Sequence, residues 1–246
     1  MPEINPKPIL SRQVAIATSI VNAQYDLEAI QKSIIYLALA GINQTQPIEI
    51  SAEHKIMVAD FAYLRGRREK DKSLVLGKVI PIRFDDAKEE LNNAVKSLYN
   101  SSIRFSKDEE HRWITGYKLC SEEQVDYVKI KWNPDLLPHL AELKTYSNLI
   151  AGSTAGIKGK YTFRILELIS QGKMRGRKTG SVYIELEEFL GMIEAKSTYR
   201  EFKYLMKFVL KTSIKELQEK EIAYVKVRSK KVGRNVVGFS LDYILG

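Results

Sequence analysis

One succession of elements occurs twice in this chain, and it restricts the fold more than any other feature. In the first pass, residues 25–40 carry Leu27, Ile30, Ile34, Leu37 and Leu39 at helical spacing and stop at Gly41. Ile48-Glu49-Ile50 alternates as a short strand, residues 52–64 read as a second helix, and Asp85-Asp86 opens a third. That third helix has Ala87, Leu91, Ala94, Val95 and Leu98 on one side, and acids in its first turn suit the positive end of the helix dipole. Three strand-like stretches follow, residues 102–105, 112–120 and 124–132, separated by polar Lys107-Asp108-Glu109-Glu110 and Ser121-Glu122-Glu123. In the second pass, residues 158–171 form a helix, 172–180 a basic glycine loop and 182–184 a strand. Residues 187–194 and 198–220 are then helical, and 222–228 with 235–241 make a closing strand pair. Helix, strand, helix, helix and strand ribbon is the order of a winged helix. The expectation is therefore an α+β fold of two tandem winged-helix (winged helix-turn-helix) domains. A flexible arm over 1–13 precedes an N-terminal module at 14–144 and a C-terminal module at 145–246, with a Ser/Gly/Ala-rich joint over 145–156.

Charge separates the two modules. Residues 145–246 hold nineteen Lys and Arg against ten Asp and Glu, whereas residues 1–144 hold twenty of each, so the whole formal charge of +9 sits in the second half. A basic excess confined to one part of a chain points to a polyanionic partner there, with nucleic acid ahead of an anionic membrane surface. No apolar run approaches the ~18 residues of a membrane helix, and the proline-rich start has no signal-peptide layout. A lone cysteine, Cys120, suits a reducing, cytoplasmic setting.

Within the second half the charge concentrates on one helix. Thr198-Tyr199-Arg200-Glu201 fits a capping box, and Arg200, Lys203, Lys207, Lys211 and Lys215 then follow at spacings of 3, 4, 4 and 4. On an α-helix these occupy one face about 120° wide, opposite Phe202, Leu205, Met206 and Val209. A merely solvated face alternates sign and gains from i,i+4 ion pairs; five like charges in a row repel unless an anion binds them. In a helix-turn-helix the second helix enters the major groove with its N-terminal residues at base edges. Arg200 and Lys203 are thus the base-reading candidates, and Lys207, Lys211 and Lys215 the phosphate contacts, with Tyr204 and Phe208 bordering the row. Arg228, Lys230, Lys231 and Arg234 surround Gly233 as a wing, and Lys173, Arg175, Arg177 and Lys178 form a third basic group. In the first module Asn92, Asn93 and Lys96 lie off the apolar side of the 85–99 helix, Arg104 and Arg112 sit on its wing, and Arg65, Arg67 and Arg68 on a charged loop.

Catalytic constellations are missing. Residues 151–160 imitate a phosphate loop, but Thr154 stands where its first glycine belongs and Tyr161 follows Gly159-Lys160. The scattered His54, His111 and His139 contain no His-x-His pair of the kind a DNA-nicking enzyme uses, and His139 reads as structural. No enzyme, metal or cofactor is expected.

The ordered set of segments resembles a known family. Trp113-Ile114-Thr115-Gly116, the run Val128-Lys129-Ile130-Lys131-Trp132-Asn133-Pro134-Asp135-Leu136-Leu137-Pro138-His139-Leu140, and Lys158-Gly159-Lys160-Tyr161-Thr162-Phe163-Arg164-Ile165-Leu166-Glu167-Leu168 are similar to the replication initiator Rep proteins of iteron-containing plasmids. Ile20-Val21-Asn22-Ala23 through Ile35-Tyr36-Leu37-Ala38 resembles their N-terminal helix, so the likeness runs roughly from Val14 to Leu241. It implies double-stranded iteron DNA as the partner of monomers, and an inverted repeat as the partner of autorepressing dimers. It further implies that the second module reads bases, that the first dimerises and adds DNA contacts, and that the host initiator and helicase are recruited. Where such families carry several arginines at the start of the second reading helix, this chain has Arg200 alone. The competing expectations are a winged-helix transcriptional repressor with no origin role and, from another class, a DNA-nicking replication enzyme.

Overall fold

In the computed structural model, which describes residues 8–69, 78–122, 125–172, 177–195 and 197–246, the chain begins with a 3-10 turn at Pro8–Ser11 and a strand, β1 (Gln13–Ala17). A short helix α1 (Thr18–Asn22) leads to α2 (Ala29–Ala40), whose start is fixed by a capping box: Glu28 accepts from the Gln31 backbone while Gln31 Oε1 accepts from the Glu28 N–H at 2.8 Å. Next come β2 (His54–Met57), α3 (Val58–Arg65), a hairpin of β3 (Arg67–Glu69) and β4 (Lys78–Ile80), and α4 (Phe84–Tyr99) with Asp85 and Asp86 in its first turn. A second small hairpin, β5 (Ser102–Arg104) with β6 (Glu110–Arg112), precedes the long pair β7 (Ile114–Glu122) and β8 (Val125–Trp132). The expected strand at 48–50 does not form. Its alternation has no sheet to join and Ile50 is 71% exposed, whereas Ile56 of β2 is buried against β8 in the register His54↔Ile130 to Met57↔Tyr127. The 52–64 helix is accordingly a strand followed by a shorter helix.

After a 3-10 turn at Pro134–His139, strand β9 (Tyr146–Ile150) returns to pair antiparallel with β1, from Gln13↔Ile150 to Ala17↔Tyr146. The expected joint at 145–156 is thus a strand and a 3-10 turn, Ala151–Thr154, and its small residues Ala151, Thr154 and Ala155 are small because they are buried. The second module follows as α5 (Lys160–Gln171), β10 (Thr179–Glu185), α6 (Leu186–Met192), a 3-10 turn Ser197–Arg200, and a rod made of α7 (Phe202–Leu205), a π turn (Met206–Leu210) and α8 (Lys211–Glu219). Strands β11 (Ala223–Val232) and β12 (Asn235–Leu245) close it. The three-stranded sheets have the orders β2-β8-β7 and β10-β12-β11, so in both the strand after a long helix, β2 after α2 and β10 after α5, pairs with the closing strand of its sheet. The recurrence seen in the sequence is a repeat of winged-helix topology.

A single core runs through both modules, and α5 lies in its middle. There Glu167, fully buried, accepts from Lys32 Nζ at 2.7 Å, Tyr25 Oη at 2.9 Å and Tyr36 Oη at 3.1 Å, and Lys32 also donates to Tyr25. One turn earlier, Arg164 donates to the carbonyls of Val21 and Met192, both at 2.8 Å, and lies 3.4 Å from the Tyr25 ring centre. A buried charge is tolerated only when paired and hydrogen-bonded, and here the pairing ties α2 and α1 to α5 and α6. Burial pushes the Lys32 amine down to about 8 despite the carboxylate. Burial pushes the Glu167 carboxyl up, but Lys32 and Arg164 outweigh it and hold the group below its ordinary value.

Candidate nucleic-acid interface

The rod at 202–219 shows how its two faces are built. Leu205, Val209, Ser213 and Leu217 are buried at strict four-residue intervals, and Lys203, Lys207, Lys211 and Lys215, each two residues earlier, are exposed. In an uninterrupted α-helix residues four apart drift by about 40°, so three intervals would wind each row about 120° around the axis. The π turn winds less per residue and draws both rows back toward straight lines, so the buried row stays on the core and the lysine row faces solvent along the whole rod.

The helix does not begin where the capping-box motif predicts. Glu201 is its N-cap residue, with no side-chain cap, and Thr198 and Arg200 lie in the 3-10 turn before it. Packing of Tyr199 edge-on against Tyr161 (6.3 Å) and of Phe202 against Phe239 (6.0 Å) sets the turn and overrides the local motif. Arg200 is exposed just ahead of the helix rather than in the lysine row. Nor is the row free of acids: Lys203 pairs with Glu201 at 3.1 Å and Lys215 with Glu219 at 3.7 Å. The hydrogen bond from Lys203 to Glu201 raises its pKa. Only the middle, Lys207 and Lys211, carries no carboxylate partner among the described residues, and Lys207 Nζ rests 5.0 Å from the Phe208 ring centre. Tyr204 and Phe208 stack at 6.3 Å and 15° beside this middle.

Two residues outside the row hold the rod. Glu216 Oε1 accepts from the Lys158 N–H at 2.7 Å, and Oε2 from the Gly159 N–H at 3.0 Å and Thr162 Oγ1 at 2.6 Å, capping α5 from outside. A Cβ on Gly159 would stand 2.5 Å from Thr162 Oγ1 and 2.7 Å from Glu216 Oε2, so a larger residue would push the two capping side chains away. At the other end Arg68 of β3 donates to the carbonyls of Lys220 and Ser153, both at 2.9 Å, so the first module grips the C-terminal end of the rod. In the sequence Arg68 belongs to a charged loop, and nothing there singles out Glu216 as a cap. The only signal was an acid in a basic helix, and its partners lie 54 to 58 positions away.

The remaining candidates are scattered. The wing tip is the turn between Val232 and Asn235, where Gly233 supplies φ +60°, with Lys231 and Arg234 exposed beside it. Arg228 is mid-strand, not at the tip, because β11 runs on to Val232; its guanidinium meets Asp242 at 2.6 Å through both Nε and Nη2. Lys230 lies 4.8 Å from the Tyr183 ring centre. Arg177 and Lys178 are exposed ahead of β10, while Lys173 and Arg175 fall outside the described residues. In the first module, Asn93 and Lys96 are exposed on α4 and Asn92 is half-buried. Arg104 and Arg112 lie on the β5–β6 hairpin rather than on the wing, since the chain forms an additional hairpin before β7. Arg104 is held by Glu110 at 2.7 Å and Arg112 lies over the Tyr99 ring at 5.4 Å. His139 contacts Ser19 Oγ at 2.8 Å and stacks on Phe105 at 4.3 Å, which agrees with a structural reading. No helix among the described residues is long and apolar enough to cross a membrane.

Comparison with known proteins supplies the family. Residues 13–170 match the family described as "Initiator Replication protein, WH1" and residues 185–243 that described as "Initiator Rep protein, WH2". A curated "Replication initiation protein" from Escherichia coli is 25% identical over 207 residues, which are 82% of this chain and 60% of the relative. The chain thus spans about three-fifths of that relative's length. Among solved structures, the Pi initiator protein crystallised in complex with iteron DNA superposes with a TM-score of 0.75 at 18% identity, covering 99% of both chains. With both domain matches in sequence order and covering most of its length, the chain belongs to the initiator replication protein family, with a WH1 and a WH2 winged-helix domain.

Proposed function

We propose that this chain is a plasmid replication initiator that binds the iterons of its origin as a monomer and represses its own gene as a dimer, acting by binding without catalysis. The observation that carries the reading is the exposed lysine row on the helix that a helix-turn-helix places in the major groove, straightened by the π turn and backed by a matching buried row. The C-terminal module, 145–246, is the main DNA reader, and α4 of the N-terminal module, 14–144, adds auxiliary contacts through Asn92, Asn93 and Lys96. Dimer contacts are assigned to the neutral first module, where the edge strand β7 exposes Tyr117 and Leu119. The host initiator and helicase complete the set of partners, at bacterial plasmid DNA in the cytoplasm.

Titration with a duplex carrying the direct repeats that flank the gene, against a random duplex, tests this. Arg200→Ala should cost about 1–3 kcal/mol on the repeat and relax one base preference, while Lys211→Ala weakens both duplexes by similar factors. Affinity for the repeat should fall by about 10³–10⁵ between 50 and 200 mM salt, as for roughly 6–10 phosphate contacts. Equal affinity for repeat and random duplexes, or a flat salt response, would overturn the reading.

A further inference from the structure

Beside the lysine row runs a second row, Tyr204, Phe208 and Thr212, also at four-residue intervals. Phe208 is 47% exposed, its ring lies parallel to that of Tyr204 at 6.3 Å, and the lysine amines of residues 203 and 207 sit 4.6 and 5.0 Å from the two ring centres. Thr212 turns its hydroxyl inward to the Lys207 carbonyl at 3.3 Å, which leaves its methyl group as the outward chemistry. The face flanking the cations is therefore aromatic and aliphatic, and beside Phe208 and Thr212 the lysines, Lys207 and Lys211, have no carboxylate partner among the described residues.

A phenyl ring neither donates nor accepts a conventional hydrogen bond, so it gains nothing from phosphates or from the polar edges of guanine, cytosine or adenine. The one apolar feature in the major groove is the 5-methyl group of thymine. We propose that the Tyr204–Phe208 pair is a specificity-determining contact that reads thymine methyl groups, with the lysine row holding the backbone on either side of it. The inference rests on the DNA-binding reading above and deepens it: it predicts which base the aromatic row selects.

The test uses the full chain and two versions of the repeat duplex, one with thymidine and one with deoxyuridine throughout, which differ only in the 5-methyl groups. Wild type should bind the thymidine duplex more tightly by about fourfold for each methyl contacted, the factor for one buried methyl-sized group. Phe208→Ala should bring the ratio of the two affinities close to one, while Tyr204→Phe, which keeps the ring, should preserve it. Phe208 is half outside the core, and circular dichroism of the variant verifies folding. A wild-type ratio of one, or a Phe208→Ala ratio equal to wild type, overturns the inference with DNA binding intact. Failure to bind either duplex overturns the DNA-binding reading itself, and this inference with it.

Discussion

Glu167 and Lys32 stand 135 positions apart in the sequence and meet in a direct hydrogen bond of 2.7 Å. Removing one partner of a buried pair leaves the other uncompensated, so Glu167→Gln should lower the unfolding free energy by about 3–5 kcal/mol in urea titrations. A loss below about 1 kcal/mol would show that water reaches the cluster. The amine adds a pH signature. Its folded pKa of about 8 lies below the unfolded value of about 10.4, so between those values the unfolded chain holds the extra proton. Stability attributable to Lys32 therefore rises with pH across that window. Above about pH 10 the sign reverses, because burial holds the hydroxyl protons of Tyr25 and Tyr36 that the unfolded chain has released. The difference in unfolding free energy between wild type and Lys32→Met should grow from pH 7.5 to 9.5; a constant difference would contradict it. None of this was legible in the sequence, where Lys32 stands between Gln31 and Ser33 at the start of a mostly apolar helix and its carboxylate lies in another module.

At the scale of elements, the 202–219 rod shows what periodicity reveals and what it misses. The four-residue lysine spacing, the apolar face behind it and the acids opening α4 were all visible, because each is a property of one element. The π turn was not, since Met206-Lys207-Phe208-Val209-Leu210 contains no glycine or proline to signal a break; the demand of both rows for one straight register arises only on contact with the core. For the same reason the capping-box motif at Thr198 misplaced the helix start. The cap that matters runs between elements, from Glu216 to the first turn of α5. Glu216→Ala should cost about 1–2 kcal/mol, in the range of lost helix caps, and Glu216→Gln less because it keeps an acceptor. Thermal unfolding of the two variants side by side measures the difference; equal losses would mean that the charge, not the hydrogen bonds, is what counts.

Across the whole molecule, the repeat of winged-helix order and the one-sided charge were both legible, and the way the two modules are joined was not. The segment that composition marked as a Ser/Gly/Ala-rich joint contains the strand that pairs with the chain's first strand, and Arg68 reaches from the first module to the Lys220 carbonyl at the end of the 202–219 rod and to the Ser153 carbonyl. Arg68→Ala should weaken binding to a duplex spanning both modules while leaving binding to a duplex covering only the second module's contacts unchanged, as measured by parallel titrations. Equal weakening on both duplexes would place its effect in the helix alone. The junction also sets an order of events at birth. Strand β1 waits for β9, and the amine of Lys32 for a carboxylate 135 residues downstream. At about 5–20 residues per second, a ribosome takes roughly 7–27 s to add that stretch. For that interval the nascent first module carries an unneutralised core lysine and an open strand edge. It completes its own interior only after the opening helix of the second has emerged.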